Sequence, residues 1–238
     1  MSDQIDIGGI LVDVVFKNIK NVHLSVYPPS GRVRIAAPEH MSLETLRLYL
    51  IAKLDWIKHQ QKKLQEQERE TAREYLDRES HYLWGRRYLL KIIEAEQPPA
   101  VELKHRQMVL TVRPGAAVEK REAVISAWHR EQLRLALTPL IEKWEPLLGV
   151  EVARVFIQGM KTRWGSCNPH SESIRLNSEL AKKPPECLEY IVVHEMMHLI
   201  EPTHNRRFVA LMGQFMPNWQ FQRDILNHLP VRHENWVY

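Results

Sequence analysis

Cysteine is scarce in this chain of 238 residues, which has only Cys167 and Cys187. Two cysteines cannot form the several bridges that hold small secreted domains together, so a disulfide framework is excluded and a reducing compartment fits. The chain also lacks any apolar run of membrane-spanning length, and its polar start at Met1 to Gln4 lacks the basic and then apolar pattern of a signal peptide. We therefore expect a cytoplasmic protein without a membrane partner.

A large excess of charge of one sign is absent as well. The chain has 33 basic and 29 acidic residues, which give a net charge of +4. Charges balanced and interspersed in this way do not demand a nucleic-acid partner, and they fix no oligomeric state. What the composition does supply is 44% hydrophobic residues, enough to build a real core in one large or two small domains.

Strand patterns dominate the chain up to about Gly115. The segments rich in alternating or β-branched residues, separated by turn residues, are 10–15, 22–26, 32–36, 82–84, 88–93, 101–103 and 108–112. We interpret the segments from 10 to 36 as a small antiparallel meander and those from 82 to 112 as a second stretch of antiparallel sheet. Between them, Ser42 caps a helix whose apolar stripe predicts a helical segment to about Arg73.

Helical periodicity prevails from residue 116 onward, around one more predicted strand at 152–157. The longest helical segment spans about 118–147, and Pro139 should kink or end it. We find no internal repeat. These patterns predict an α+β fold of two domains, namely residues 1–115 as a β-rich amino-terminal domain with an inserted long helix at about 42–73, and residues 116–238 as a mostly helical domain with a short β-sheet.

The most specific pattern in the chain is His194-Glu195-Met196-Met197-His198. Because a helix turns about 100° per residue, histidines four apart project from one face and can grip one metal ion, with the glutamate alongside. His204 would lie far round a continuous helix, but Pro202 breaks the helix and lets the chain fold back. We therefore expect three metal ligands: His194, His198 and His204.

This ligand set favours a catalytic zinc ion. Three neutral imidazoles suit Zn²⁺ and leave its fourth position open for water. The ion lowers the pKa of that water, and Glu195, which is not expected to be a ligand, accepts its proton as the general base and later delivers it to the leaving group. The expected reaction is hydrolysis with one zinc ion. Metzincins share the histidine spacing but have glycine where this chain has Glu201, so they are not the expected class.

Several segments together resemble the YgjP-like family of zinc metallopeptidases, relatives of the SprT and WLM groups. The resemblance covers most of the chain and rests on 24–26, 31–35, 55–57, 161–167, 174–177, 184–204 and Phe208. It implies that residues 116–238 form a zincin-like catalytic domain. It also implies that His194, His198 and His204 are metal ligands and that Glu195 is the catalytic glutamate.

Two interpretations of the segment Arg163-Trp164-Gly165-Ser166-Cys167 stay open. A glycine inside a strand often marks a bulge or a close backbone approach. In one interpretation the segment is an edge strand beside the metal that pairs with an extended peptide, with Arg163 and Trp164 in contact with the substrate. In the other it is a hairpin that packs Trp164 under the motif helix and uses Asn177 at its end.

Three hypotheses of function follow. The first is a zinc-dependent endopeptidase that acts on a peptide or protein. The second is a hydrolase of nucleotides or other phosphoanhydrides on the same site, which would need converging cations such as Arg163, Arg206 and Arg207. The third is a nucleic-acid-associated protease module, whose DNA binding would depend steeply on salt.

Overall fold

The computed structural model describes residues 3–27, 31–66, 73–160 and 163–230. These residues divide into two compact units: one comprises the described residues up to 66 together with Pro230, and the other comprises those from 73 to 229. The fold is α+β, as the sequence predicts.

The first unit is a four-stranded sheet with two helices. Its strands are β1 (Asp3–Ile7), β2 (Ile10–Lys17), β3 (His23–Tyr27) and β4 (Arg32–Pro38), and its helices are α1 (Leu43–Ala52) and α2 (Leu54–Glu66). The alternating strands turn one set of apolar side chains inward, and these share a core with the apolar residues of the helices. The fully buried members of this core are Val12, Ile35, Ala37, Leu46, Leu50 and Ile57.

Two predictions for this unit are wrong. The sheet is not an antiparallel meander: its order is β1-β2-β4-β3, and the central strands β2 and β4 are parallel. Alternation of apolar residues reports burial on one face and carries no strand direction. The long helix predicted at about 42–73 is two helices as far as Glu66, because the amide of Lys53 bonds to the carbonyls of both Tyr49 and Leu50 and ends α1 there. Residues 67–72 of that prediction lie outside the described residues. Ser42 caps α1 as predicted.

The second unit begins with a sheet of the same design. Strands β5 (Ser80–Leu83), β6 (Arg86–Glu94), β7 (Ala100–Lys104) and β8 (Gln107–Val112) lie in the order β5-β6-β8-β7. The central pair is again parallel and the outer pairs antiparallel, so the antiparallel prediction is corrected here too. The strand arrangement thus repeats where the sequence shows no repeat.

The helix α3 (Val118–Leu148) follows and packs on this sheet, with Ile125 in one cluster with Leu90, Met108 and Leu110. For this reason the compact units divide between residues 66 and 73 and not near Gly115, where the composition shifts. Gly115 marks the change from sheet to helix inside the second unit.

The helix α3 also continues through Pro139, where the sequence predicts a kink or an end, and through Pro146. Residues on both sides of Pro139 are buried in the same core, including Leu133, Leu137 and Trp144. Their burial offsets the hydrogen bond that each proline removes. Gly149 then ends the helix in a left-handed conformation with φ 68°. Within the described residues, no helix combines the length and the apolar character needed to cross a membrane.

A three-stranded sheet and three helices complete the second unit. The strands are β9 (Arg154–Gln158), β10 (Gly165–Asn168) and β11 (Ser173–Asn177), and the helices are α4 (Pro185–Met197), α5 (Arg206–Phe215) and α6 (Trp219–His228). The sheet order is β10-β11-β9, with β10 antiparallel and β9 parallel to β11. The strand β10 is therefore an edge strand, and the helix α4 packs against it and β11.

Candidate metal centre

The helix α4 carries the first part of the site. It begins at Pro185, which suits a first helical position because its missing N–H would have no helical partner. Most of its body is apolar and buried, so it is held on nearly all sides by the core. At its end it places His194 half-buried and Glu195 buried among these apolar residues. A polar cluster at such a position is costly unless its groups are bonded or bind an ion.

The chain then turns back on itself, although not at the residue expected. The helix ends at Met197, before Pro202, and the amides of His198 to Ile200 bond to carbonyls three residues earlier. Beyond this tightened turn, Asn205 caps α5 by accepting a hydrogen bond from the Phe208 amide at 3.0 Å. His204, one residue before that cap, is thereby held over the end of α4.

This turn brings the three predicted ligands together. The Nε2 atom of His204 lies 2.9 Å from that of His194 and 3.1 Å from that of His198. One nitrogen of each ring lies within 4.8 Å of the others, which could hold a metal ion. Zinc binds imidazole nitrogens at about 2.0–2.1 Å, so two nitrogens on a tetrahedral ion stand about 3.3 Å apart. The three nitrogens are therefore close enough to hold a single metal ion between them.

The protonation of the imidazoles agrees with this fit. Burial, reinforced by the other two imidazoles, lowers the pKa of His194 to about 4, and burial also lowers that of His198. The Nδ1–H group of His198 donates to the carbonyl of Glu201 at 3.1 Å, which leaves its Nε2 lone pair for an ion. Among the described residues, none bonds to the buried Nδ1 of His194. With the ring protons on Nδ1, the three Nε2 lone pairs face one another and are available to a cation.

Phe208 packs against all three imidazole rings. Its ring lies 4.8 Å from the rings of His198 and His204 and 5.0 Å from that of His194, measured between centroids. It stacks on His198 and meets the other two edge-on. Because Phe208 is 2% exposed, the imidazoles rest on a surface that is itself fixed in the core.

Glu195 lies beside the imidazoles and is 5% exposed. Burial raises the pKa of its carboxyl to about 7, and the positive charge of Arg163 opposes this rise. Without a bound cation, the carboxyl can therefore exist in either protonation state near neutral pH.

A cleft of about 570 Å³ opens onto the three histidines and Glu195. The segment Arg163 to Cys167 forms one wall, and Ile191, Pro169 and Pro202 add apolar surface. Arg163 and Trp164, the predicted substrate contacts, both line it. Cys167 lines it too but is not one of the three clustered donors, and burial raises the pKa of its thiol to about 11.

The structure contains features of both interpretations of the segment Arg163 to Cys167. The strand β10 is an edge strand, and it also forms a hairpin with β11. The side chain of Asn177 donates to the carbonyls of Met160 and Arg163 at 2.8 and 2.9 Å. The ammonium group of Lys183 lies over the Trp164 ring, 5.9 Å from its centroid.

Two of the three arginines that the phosphoanhydride hypothesis requires do not line the cleft. Arg206 and Arg207 begin α5 but do not line it, and Arg207 pairs instead with Glu201 at 3.9 Å. Among the described residues, Arg163 is the only lysine or arginine that lines the cleft.

Two features of the site are missed by sequence reasoning. The contact of Phe208 with all three rings and the carbonyl of Glu201 as the partner of His198 depend on where the chain returns in space. For Asn177, which one interpretation places at the end of the hairpin, the structure adds its two carbonyl partners. Helical spacing indicates only that Phe208 is a core residue. The asparagine at a strand end was a signal for Asn177, whereas a backbone carbonyl leaves no trace in sequence.

The comparison with known families agrees with this geometry. Residues 20–229 match the family described as YgjP-like, metallopeptidase domain. No curated protein matches the chain significantly. The matched range contains the whole motif, the return to His204 and the segment around Trp164, which are the residues that carry the resemblance. The chain therefore belongs to the YgjP-like family, and it contains that family's metallopeptidase domain.

Proposed function

We propose that this protein is a zinc-dependent endopeptidase with a zincin-like catalytic domain. One observation carries the proposal: three imidazole nitrogens converge beside a buried glutamate in an open cleft. In this proposal His194, His198 and His204 hold one zinc ion, and Glu195 is the general base. The family supports a metallopeptidase, and the choice of metal and the residue roles rest on the geometry and on zinc chemistry.

Zinc is the ion that the donors favour. Imidazole nitrogens suit zinc and other transition metals, whereas magnesium and calcium prefer oxygen donors. Three protein donors beside open space are typical of catalytic zinc sites, since structural sites use four. When bound, zinc supplies a positive charge that lowers the pKa of water and polarises a carbonyl.

The remaining chemistry falls to side chains of this chain. Glu195 accepts a proton from the attacking water on its carboxylate and donates it to the nitrogen of the leaving amine. Its buried position keeps bulk water from competing for that proton. Arg163, at the mouth of the cleft, supplies a positive charge close enough to influence Glu195.

We propose that the substrate binds as an extended peptide along β10. An edge strand presents unpaired backbone groups to which a peptide adds as a further strand. The strand β10 is such an edge and forms a wall of the cleft. Arg163 and Trp164 then contact side chains of the peptide. The positive charge of Arg163 and the indole ring of Trp164 determine which peptide side chains bind there.

The arrangement supports the phosphoanhydride alternative less well. A triphosphate needs several converging cations, and within the described residues only Arg163 reaches the cleft. The nucleic-acid alternative has no feature of the site in its favour. We propose a peptide or protein as the partner and the cytoplasm as the location, where the two free cysteines stay reduced.

The metal content and the substrate class test the proposal together. Purified protein should contain one zinc per chain, and His204→Ala should lose it whereas His170→Ala, an exposed histidine outside the cluster, should retain it. Unfolded protein should be cleaved at internal peptide bonds while nucleoside triphosphates remain intact. Hydrolysis of the triphosphates alone, or equal zinc in His204→Ala and wild type, contradicts the proposal. DNA binding with a steep salt dependence would favour the nucleic-acid-associated module.

A further inference from the structure

Gly165 occupies a position where glycine is unfavourable. It lies within β10, paired with Leu176 of β11. Glycine weakens a strand because it has more backbone freedom to lose and no side chain to pack. Its φ angle is not in the left-handed region, unlike that of six other glycines of the chain. Backbone conformation therefore does not explain why glycine stands here.

The lack of space for a side chain explains why glycine stands at position 165. A Cβ atom built on Gly165 would lie 2.5 Å from Oε1, 2.7 Å from Cγ and 2.8 Å from Cδ of Glu195. Carbon and oxygen atoms in contact without a bond stay more than 3 Å apart. All nine glycines lie in the described part of the chain, and no other has a contact closer than 3.0 Å at this atom. The Glu195 side chain rests directly on the bare backbone of β10.

A turn of the carboxyl group alone cannot relieve such a clash. Two of the three contacts are to Cγ and Cδ, so the whole side chain would have to leave the strand. Glu195 is 5% exposed, on a helix held by the core on nearly all sides. A Cβ atom at position 165 would push the Glu195 side chain away from β10. This movement would change the position of the carboxylate relative to the three histidines.

We propose that Gly165 is the positioning residue for Glu195: the missing side chain at position 165 makes the space in which the catalytic carboxylate is held. The steric part depends on no activity. The catalytic consequence rests on the proposed function, in which Glu195 carries a proton. A methyl group at position 165 displaces the carboxylate while the three imidazoles, held by α4, the turn and Phe208, keep their places.

A double-mutant cycle of thermal unfolding tests the contact without reference to activity. The proteins are the full-length chain and its Gly165→Ala, Glu195→Ala and Gly165→Ala/Glu195→Ala variants. Gly165→Ala should lower the midpoint temperature when Glu195 is present. It should leave the midpoint unchanged or raise it when position 195 is alanine, because the clash is gone and alanine suits a strand better than glycine. If Gly165→Ala alone fails to fold, the double variant should fold.

Gly213→Ala is the matched control. Gly213 lies in α5 without a left-handed φ, and a Cβ atom there would meet nothing within 4 Å. This variant should be as stable as wild type or more stable in both backgrounds. An equal loss of midpoint temperature from Gly165→Ala in both backgrounds, or failure of the double variant to fold, overturns the proposal.

Kinetics and metal content then test the consequence. Gly165→Ala should keep its zinc content and, with cobalt in place of zinc, the visible absorption spectrum of wild type, because no ligand has moved. Its kcat on unfolded protein should fall on the order of 10²-fold, with KM changed little. An unchanged kcat, or loss of the metal, contradicts the positioning role. Should wild type itself cleave no peptide bond, the proposed function fails, and the unfolding cycle still decides whether Gly165 holds Glu195.

Discussion

Phe208 contacts all three histidines of the site. Its ring is within 5.0 Å of all three imidazole rings, by centroid distance, and it is almost fully buried. Groups that orient metal ligands without touching the metal commonly change metal affinity by about 10- to 100-fold when they are lost.

We predict that Phe208→Ala weakens zinc binding within this range, as measured by competition with a chelator of known affinity. The cavity should also cost about 3–5 kcal/mol of unfolding free energy. Val209→Ala is the control, because Val209 is the next residue and is 45% exposed. Zinc affinity equal to that of wild type in Phe208→Ala would show that the ring does not position the imidazoles.

At the scale of single residues, the sequence predicts which histidines converge better than it predicts which residues hold them in place. The spacing of His194 and His198 follows from helix geometry, and the side chains do converge. His204 converges too, although the helix ends at Met197 without help from Pro202. The sequence indicates a close backbone approach at Gly165, because glycine is unusual inside a strand. It does not indicate that Glu195 makes this approach, because the two residues are far apart in sequence.

Among the elements, α3 departs most clearly from local rules, since it contains Pro139 and Pro146. Pro139 is exposed and lies between buried residues of the same helix. A proline inside a helix costs about 3 kcal/mol relative to alanine, and here packing offsets that cost.

We expect Pro139→Ala to stabilise the protein by about 1–3 kcal/mol in urea unfolding, because it restores a backbone hydrogen bond to Leu135 and removes a steric clash. Thr138→Ala, also exposed, should change stability by less than about 0.5 kcal/mol. A lower stability for Pro139→Ala would mean that the proline shapes α3 in a way the core requires.

The docking of α3 on β5 predicts a pH dependence of stability. Nε2–H of His129 donates to the carbonyl of Tyr82 at 3.0 Å, and burial lowers the pKa of His129 from 6.5 to about 3. Between pH 6.5 and about 3 the unfolded chain therefore protonates this histidine and the folded chain does not. The contribution of His129 to the free energy of unfolding is fully present above pH 6.5 and is lost as the pH falls towards 3.

This histidine should account for about 2 kcal/mol of the stability lost between about pH 7.5 and pH 5. His129→Gln, which keeps a donor for the carbonyl, should lose less stability over the same interval in urea unfolding. His81, whose pKa burial lowers to about 4, adds to the loss in both proteins. An equal pH dependence in wild type and variant would contradict this assignment.

For the whole molecule, the sequence predicts most of the strands and helices, although not β1, and it does not predict how they are arranged. Seven predicted strand segments up to Gly115 correspond to observed strands, yet the parallel pairs β2–β4 and β6–β8 were unforeseen. Strand direction depends on long-range pairing, which a local pattern does not encode. The same holds for the repeated sheet design, which shares an order of strands and no recognisable sequence.

Zinc should stabilise the second compact unit, because the three donors lie in that unit and converge only after α4, the turn and α5 have formed. At a free zinc concentration 100 times the dissociation constant, the gain is about 2.7 kcal/mol. We predict that zinc raises the midpoint temperature of wild type, that a chelator reverses this, and that His204→Ala shows neither effect. An equal shift in His204→Ala would place the stabilising zinc elsewhere.

The central claim is that Glu195 moves a proton beside a zinc ion held by three histidines, and Glu195→Gln tests it most directly. Glutamine keeps the size of the side chain but accepts no proton. The variant should retain one zinc per chain, while its kcat on unfolded protein falls on the order of 10²–10⁴-fold. Glu186→Gln, exposed on the first turn of the same helix, should match wild type in both measurements. Full activity in zinc-loaded Glu195→Gln would contradict the account.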